Sequence, residues 1–199
     1  MRTIVAIGLG AVLCLGPQAR AEQQTYQLDM MHTYVSFAAP HFQAISWWRG
    51  KFDRTRSGTV KLDRAAKSGS IEVVIDTSSV DTGLDALNDH VRSADFLDVK
   101  RYPTATFKSE SIQFQGDVPV AAAGELTLHG VTHPVTLTIN EFKCIPDPFV
   151  KALQRCGADA AAVIDRTQWG VSSYADATGK EVRLSIQVEG LAPLRALRE

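Results

Sequence analysis

Apolar and polar residues alternate with a period of two along most of the chain after residue 25. This alternation is typical of β-strands with one buried face, because successive side chains point to opposite faces of a sheet. The alternating runs begin at Tyr26, Val35, Trp48, Val60, Ile71, Ala105, Ile112, Leu126, Val135, Ala162 and Val182. About eight or nine short strands joined by turns predict an antiparallel sandwich or barrel, and periodicity alone does not choose between these folds.

Two irregularities refine the strand pattern. The apolar positions move from odd to even numbers between Phe107 and Ile112, which predicts a β-bulge around Ser109 to Ser111. The segment His129-Gly130-Val131-Thr132 lies between two alternating runs and predicts a hairpin.

One segment follows a helical period instead. Leu84, Leu87 and Val91 lie three and four residues apart, which predicts a short amphipathic helix beginning near Gly83 or Leu84. Thr82 and Asp85 have the spacing of a capping box. A helix of this length is marginal in water by itself, so we expect it to pack against an apolar surface.

The first residues predict export. Met1 to Ala21 contain a basic Arg2, an apolar run from Ile4 to Leu15 and the small-x-small site Ala19-Arg20-Ala21. This combination is typical of a secretory signal peptide, and the apolar run is too short for a membrane-spanning helix. We therefore predict a signal peptide over residues 1–21, followed by one domain over residues 22–199 in the periplasm.

Two cysteines remain after the predicted cleavage, Cys144 and Cys156. An even number of cysteines in an oxidising compartment favours a disulfide between them. Two separate buried thiols are the alternative. A metal site is disfavoured because no other Cys or nearby His completes a ligand set.

Charge and motifs argue against several functions. The chain has 21 basic and 22 acidic residues and a net charge of -1, which gives no electrostatic case for nucleic-acid binding. The predicted mature chain contains no nucleophile elbow, phosphate-binding loop, dinucleotide fingerprint or CxxC motif. We therefore predict a protein that is not an enzyme and uses no cofactor.

The histidines give no clear metal or catalytic site. On a straight strand His129 and His133 would lie about 13 Å apart, too far to share a metal unless a turn at Gly130 brings them together. Met30-Met31-His32 offers soft ligands, but adjacent strand residues point to opposite faces. We interpret His90 as a structural imidazole because spacing identifies no carboxylate partner. A catalytic triad is recognised by geometry, so the sequence leaves catalysis open.

The segment between residues 82 and 104 contains an ordered series of motifs. They are Thr82-Gly83, His90-Val91-Arg92-Ser93, Asp95-Phe96-Leu97-Asp98 and Tyr102-Pro103-Thr104. The series resembles that of the YceI family of secreted, lipocalin-like isoprenoid-binding proteins, with Val91 and Leu97 as mild departures. Asp29 to Phe37 and Asp165 to Val171 resemble further segments of the family, so the resemblance covers nearly the whole predicted mature chain.

The resemblance implies an all-β fold, an eight-stranded antiparallel lipocalin-like barrel with one short α-helix near one end. The inward residues by themselves could form either a dry core or a cavity lining. The resemblance favours a cavity. The predicted ligand-binding residues are Val35, Phe37, Phe42, Ile45, Trp48, Phe52, Val73, Ile75, Leu84, Leu87, Val91, Phe96, Phe107, Phe114, Leu126, Leu137 and Trp169.

The implied function is an exported protein that sequesters or carries an isoprenoid, polyprenyl or quinone-like, or another amphipathic lipid. The alternatives are an enzyme that acts on a hydrophobic substrate near His90 and Asp95, and a filled-barrel stress or interaction module. A further hypothesis places Arg92, Lys100 and Arg101 against an anionic headgroup. The other predicted interactions are a transient contact with a membrane or a membrane protein, and the formation of a homodimer.

Overall fold

The computed structural model describes residues 23–194, so the predicted signal peptide lies outside the described residues. These residues form one sheet of eleven strands and two short α-helices. The strands are β1 (Gln24–Leu28), β2 (Tyr34–His41), β3 (Ser46–Phe52), β4 (Thr55–Asp63), β5 (Ser68–Asp76), β6 (Val80–Asp81), β7 (Thr104–Gln115), β8 (Val118–Leu128), β9 (Val131–Pro146), β10 (Leu153–Asp165) and β11 (Glu181–Pro193). The helices are α1 (Asp85–Arg92) and α2 (Ala175–Thr178).

The sheet closes into an eight-stranded antiparallel barrel because β1 pairs with β11. Strands β1 and β2 both pair with β11 and form the two halves of one bent strand. Strands β3 and β4, and strands β5 and β6, are likewise halves of bent strands. Barrel neighbours follow one another in sequence, so the topology is up-and-down. The predicted lipocalin-like barrel is confirmed.

Both predicted irregularities are present. The register between β7 and β8 shifts between Lys108 and Ser111, where the bulge was predicted. Strands β8 and β9 form a hairpin around His129 and Gly130, whose φ angles are 50° and 76°. Positive φ at both central residues is typical of a tight hairpin turn whose twist matches that of the strands.

The predicted helix is confirmed as α1, but the capping box does not form. Leu84 occupies the N-cap position without a side-chain hydrogen bond. The buried amide of Asn88 joins the helix to the barrel instead. Its Oδ1 accepts a hydrogen bond from the Thr82 backbone N–H at 2.7 Å, and its Nδ2 donates to Asp81 Oδ1 at 3.0 Å. An amide can do both because it carries a donor and an acceptor.

The connections between strands define two ends of the barrel. The helical end comprises residues 42–45, 82–103, 129–130 and 166–180. The terminal end comprises residues 64–67, 116–117 and 147–152, together with the two ends of the described chain.

Near the terminal end, a cluster of buried side chains and a disulfide stabilise the barrel. The cluster contains Tyr26, Leu62, Ile112, Ala122, Cys156 and Ala192. Cys144 on β9 lies directly opposite Cys156 on β10, and the two form a disulfide. The predicted pairing is confirmed.

An ion-pair network surrounds Arg155 near this end. Its guanidinium lies 2.7 Å from carboxylate oxygens of both Asp29 and Glu189, and 2.9 Å from Asp147. The hydrogen bond from Arg155, assisted by one from His32, holds the pKa of Asp29 at about 2. Because these residues belong to different elements, the network joins the β1–β2 bend, the β9–β10 connection and β11.

Candidate ligand-binding cavity

An apolar cavity of about 560 Å³ runs inside the barrel. Its lining comes from all eight barrel strands, because alternate residues of each strand point inward. The volume lies within the range of roughly 300–1,000 Å³ that is typical of small-molecule sites. The interior is therefore not filled by its own side chains.

Twelve of the predicted ligand-binding residues line this cavity. They are Val35, Phe37, Trp48, Phe52, Val73, Ile75, Leu87, Val91, Phe96, Phe107, Leu126 and Leu137. Nine lie on strands, two on α1, and Phe96 lies on the connection that follows the helix. The structure thus brings these twelve together, and their contact with a ligand stays a prediction.

The other five predicted residues do not line the cavity. Phe42 and Ile45 lie in the β2–β3 turn and are 56% and 80% exposed, and Leu84 precedes α1 and is 50% exposed. Phe114 packs against the cluster at the terminal end. Trp169 is buried in the β10–β11 connection, and its indole N–H donates to the Leu126 carbonyl at 2.9 Å. Four of these five residues lie outside the strands, where a period of two does not predict which way a side chain points.

Sequence reasoning missed other lining residues. Tyr26, Val60, Leu62, Ile71, Ile112, Ile139, Ile186 and Val188 all line the cavity. Their signal was present, since each belongs to an alternating run. His41 also lines it and continues the phase of Val35 and Phe37 on β2. Tyr174 and Arg166 line it as well, and no periodic signal marks them.

Arg166 is the one Lys, Arg, Asp or Glu side chain that lines the cavity within the described chain. Its buried guanidinium donates to the carbonyl oxygens of Val171 at 2.6 Å, Ser173 at 3.0 Å and Gly179 at 3.3 Å. Burial lowers the pKa of Arg166, because desolvation penalises the charged form. These three bonds hold separate parts of the β10–β11 connection together at the helical end.

The three cations predicted to meet a headgroup lie outside the cavity lining. Arg92 instead donates to the Ser78 carbonyl at 2.9 Å and the Val80 carbonyl at 2.7 Å, which attaches α1 to the neighbouring strand segment. The Arg101 guanidinium lies 5.1 Å from the centre of the Tyr102 ring. The side chain of Lys100 is exposed. This arrangement does not support the headgroup hypothesis for these residues.

Three rings partly cover the cavity at the helical end. The centre of the His90 ring lies 4.9 Å from that of Phe96 and 5.9 Å from that of Tyr174. Phe96 and Tyr174 stack at 6.1 Å. In the described chain, no hydrogen bond or ion pair joins His90 to Asp95, the pair considered for an enzyme.

The two histidines of the β8–β9 hairpin segment, His129 and His133, have structural partners. A ring nitrogen of His129 lies 3.1 Å from the Trp169 carbonyl, and one of His133 lies 3.0 Å from the Gln168 carbonyl. Both histidines thus attach the β10–β11 connection to the β8–β9 hairpin.

One cluster of two carboxylates and a histidine has the spacing of metal ligands. Asp29, His32 and Glu189 have ligand atoms within 4.8 Å of one another. The Arg155 guanidinium already bonds to both carboxylates, so a cation occupies the group. Met30 and Met31 lie in the adjoining turn rather than on a strand. None of these contacts argues for a bound metal.

Among residues 23–194, no helix has the length and apolar character needed to cross a bilayer. The up-and-down barrel with an internal apolar cavity places the chain in the class of lipocalin-like barrels. The model of the YceI-like domain matches residues 26–190. The chain therefore belongs to the YceI family, which confirms the resemblance seen in the motifs.

Relatives match along almost the full chain. A UPF0312 protein of Pseudomonas aeruginosa is 31% identical over 190 residues, covering 96% of this chain and 97% of the relative. Protein YceI of Salmonella newport is 32% identical over 191 residues, covering 96% and 97% respectively.

Solved structures share the fold. BcnA of Burkholderia cenocepacia is 27% identical with a TM-score of 0.64, covering 81% of this chain and 98% of BcnA. A polyisoprenoid binding domain from Saccharophagus degradans, implicated in plant cell wall breakdown, has a TM-score of 0.60 at 18% identity. The match covers 85% of this chain and 99% of that domain.

Proposed function

We propose that this protein binds an isoprenoid, or another amphipathic lipid with a long apolar chain, inside its barrel. The observation that supports this most strongly is the 560 Å³ cavity, whose lining in the described chain includes a single Lys, Arg, Asp or Glu side chain. A site lined in this way has few groups that can form ion pairs with a charged ligand. The polyisoprenoid binding of the structurally similar Saccharophagus degradans domain supports the same ligand class.

Energetics favour a carrier. Each methylene moved from water into an apolar site contributes about 0.8 kcal/mol, so a few isoprene units offset the cost of association. Relative to a bilayer the same contribution nearly cancels, because lipid chains are as apolar as the cavity. The protein therefore shields a lipid from water, and the free energy of transfer to a membrane is small enough for the lipid to move in either direction.

The carrier operates in the periplasm. Support comes from the signal-peptide pattern of residues 1–21 and from the disulfide between Cys144 and Cys156, since disulfides persist in oxidising compartments. Cell fractionation followed by sequencing of the mature N-terminus tests this proposal. We expect a periplasmic protein that begins near Glu22, and a cytoplasmic protein retaining Met1 contradicts it.

The binding proposal is tested first on the unaltered protein. Purified protein is extracted with organic solvent, and the extract is analysed by mass spectrometry. We expect a polyprenyl, quinone or acyl species in near-stoichiometric amount. Protein stripped of lipid should then bind a fluorescent polyprenol in detergent-free buffer. An empty extract together with no polyprenol binding contradicts the proposal.

Two neighbouring alanines on β10 provide a matched pair of variants. Ala160 is buried and lines the cavity, whereas Ala161 does not line it. Ala160→Trp should fill part of the cavity and weaken polyprenol binding roughly tenfold or more, since overpacking removes the space for the chain. Ala161→Trp should bind like the unaltered protein. Circular dichroism on both variants verifies that the barrel remains folded.

A further inference from the structure

The β2–β3 turn presents apolar side chains to solvent at the helical end. The eight residues from His41 to Trp48 contain no Lys, Arg, Asp or Glu. Within this segment, which we call the hairpin tip, Phe42 is 56% exposed and Ile45 is 80% exposed. An exposed apolar turn without charged residues is a candidate interaction site for an apolar partner.

The backbone of the hairpin tip is strained. Phe42, Gln43 and Ala44 have φ angles of 42°, 55° and 68°, a region that favours glycine and asparagine. The Gln43 backbone N–H donates to the Ala177 carbonyl at 3.1 Å, which braces the turn against α2. The fold thus keeps a bulky aromatic side chain at a position where a smaller residue would be less strained.

The hairpin tip is continuous with the cavity. Pro40, His41 and Trp48 line the cavity and lie next to the exposed residues of the tip. At the terminal end, none of the residues in the connections 64–67, 116–117 and 147–152 lines it. An apolar surface therefore extends from the interior past the rings at the helical end and onto the tip.

The residue types and charges in and around the hairpin tip are those found at a membrane interface. The tip also contains Trp47, a residue type enriched at membrane interfaces, and the Arg183 guanidinium lies 3.9 Å from its ring centre. Arg183 pairs with Glu181 and Lys51 with Asp53, while Arg49 donates to the Trp47 carbonyl at 3.4 Å. On a bilayer of uncharged lipids, apolar insertion then determines binding.

We infer that the hairpin tip docks on a lipid bilayer and places the cavity opening against it. This inference rests on the proposed function, because the cavity must exchange its lipid with a membrane. Phe42 and Ile45 insert among the acyl chains, and the aromatic residues behind them lie at the headgroup level. Docking therefore depends on the tip and is nearly insensitive to salt.

Vesicle flotation tests the inference with matched variants of the mature protein. The tip variant combines Phe42→Asn, which suits positive φ, with Ile45→Ser. The control is Phe149→Ser, which removes an 87% exposed phenylalanine from the terminal end. Each protein is mixed with phosphatidylcholine vesicles at low and high salt, and transfer of fluorescent polyprenol between vesicles is measured in parallel.

We expect the unaltered protein and the control to float with vesicles at both salt concentrations. The tip variant should lose vesicle binding and transfer rate by roughly tenfold or more, the scale of two lost apolar insertions. Equal flotation of the tip and control variants overturns the inference. The inference is also overturned if the unaltered protein fails to float. It is overturned as well if tip-dependent transfer requires a membrane protein extract.

Binding of polyprenol in vesicle-free buffer separates this inference from the proposed function. The tip variant should retain that binding, since Phe42 and Ile45 lie outside the cavity. If polyprenol binding is normal but the tip variant floats as well as the control, the docking inference alone is overturned. Absence of polyprenol binding in every protein overturns the proposed function.

Discussion

The two ends of the barrel use their side chains differently. At the terminal end, apolar side chains are clustered inside, strands are cross-linked by Cys144 and Cys156, and Arg155 joins separate elements by ion pairs. At the helical end, rings line the cavity and the β2–β3 turn exposes Phe42 and Ile45. The terminal end is built to resist opening, while the helical end keeps apolar surface accessible.

This difference separates stability from exchange. Residues that cross-link the terminal end should change the free energy of unfolding with little effect on ligand exchange. Residues that cover the helical end should change exchange with little effect on stability. Each prediction below tests one side of this division.

The largest expected effect is loss of the disulfide. Replacing both cysteines, Cys144→Ala and Cys156→Ala, should lower the free energy of unfolding by about 2 to 3 kcal/mol, because the cross-link restricts the unfolded chain. Urea denaturation measures this change. The rate of polyprenol transfer to acceptor vesicles should stay within about twofold of the original, although Cys156 lines the cavity. A large change in transfer rate at unchanged stability would contradict the division between the two ends.

The Arg155 network gives a pH-dependent prediction. The pKa of Asp29 is about 2 in the folded protein, below its usual 3.8. The ionised carboxylate therefore stabilises the fold above pH 3.8, and this contribution is lost as the pH falls through 2. Asp29→Asn should cost about 1 to 2 kcal/mol at pH 7 and progressively less towards pH 2.

Denaturation curves of both proteins across this pH range measure the effect. A difference that stays constant with pH would show that the carboxylate charge does not stabilise the fold. Polyprenol affinity at pH 7 serves as the control and should not change.

At the helical end, Tyr174 offers a test of exchange. Its ring stacks on Phe96, and its φ of 56° suits asparagine better than tyrosine. Tyr174→Asn should speed polyprenol dissociation several-fold, because one of the covering rings is removed. Stability should change by less than about 0.5 kcal/mol. Stopped-flow transfer to acceptor vesicles measures the rate, and an unchanged rate would remove Tyr174 from the exit route.

The smallest expected effect belongs to His90. His90→Gln keeps a polar side chain of similar size, so polyprenol affinity should change by less than about twofold. Calorimetric titration measures that affinity. Any turnover of a hydrophobic ester that disappears in this variant would favour the enzyme alternative instead.

Much of the fold follows from local patterns. Alternation located the strands, the phase change before Ile112 located the bulge, and the spacing of Leu84, Leu87 and Val91 located α1. The attachment of α1 to the barrel was not predictable in the same way. It depends on Asn88 reaching Asp81 on β6, a contact that exists only after the helix has packed on the barrel.

The candidate site was predictable where it lies on strands. Val73, Phe107 and Leu137 line the cavity because an alternating residue in a closed barrel points either in or out. Trp169 and Arg166 belong to the β10–β11 connection, where no period assigns a direction. The indole N–H of Trp169 donates to the Leu126 carbonyl on β8, and Arg166 donates to carbonyls within its own connection. Both sets of contacts exist only in the folded barrel.

The sequence by itself determined the strand pattern, the helix, the two cysteines available for pairing and the membership of the YceI family. Only the tertiary structure decided that the inward side chains leave a cavity and that the β2–β3 turn exposes its apolar residues. The physical reason is that alternation specifies which face a side chain occupies. The enclosed volume depends on strand number, strand tilt and side-chain packing across the whole barrel.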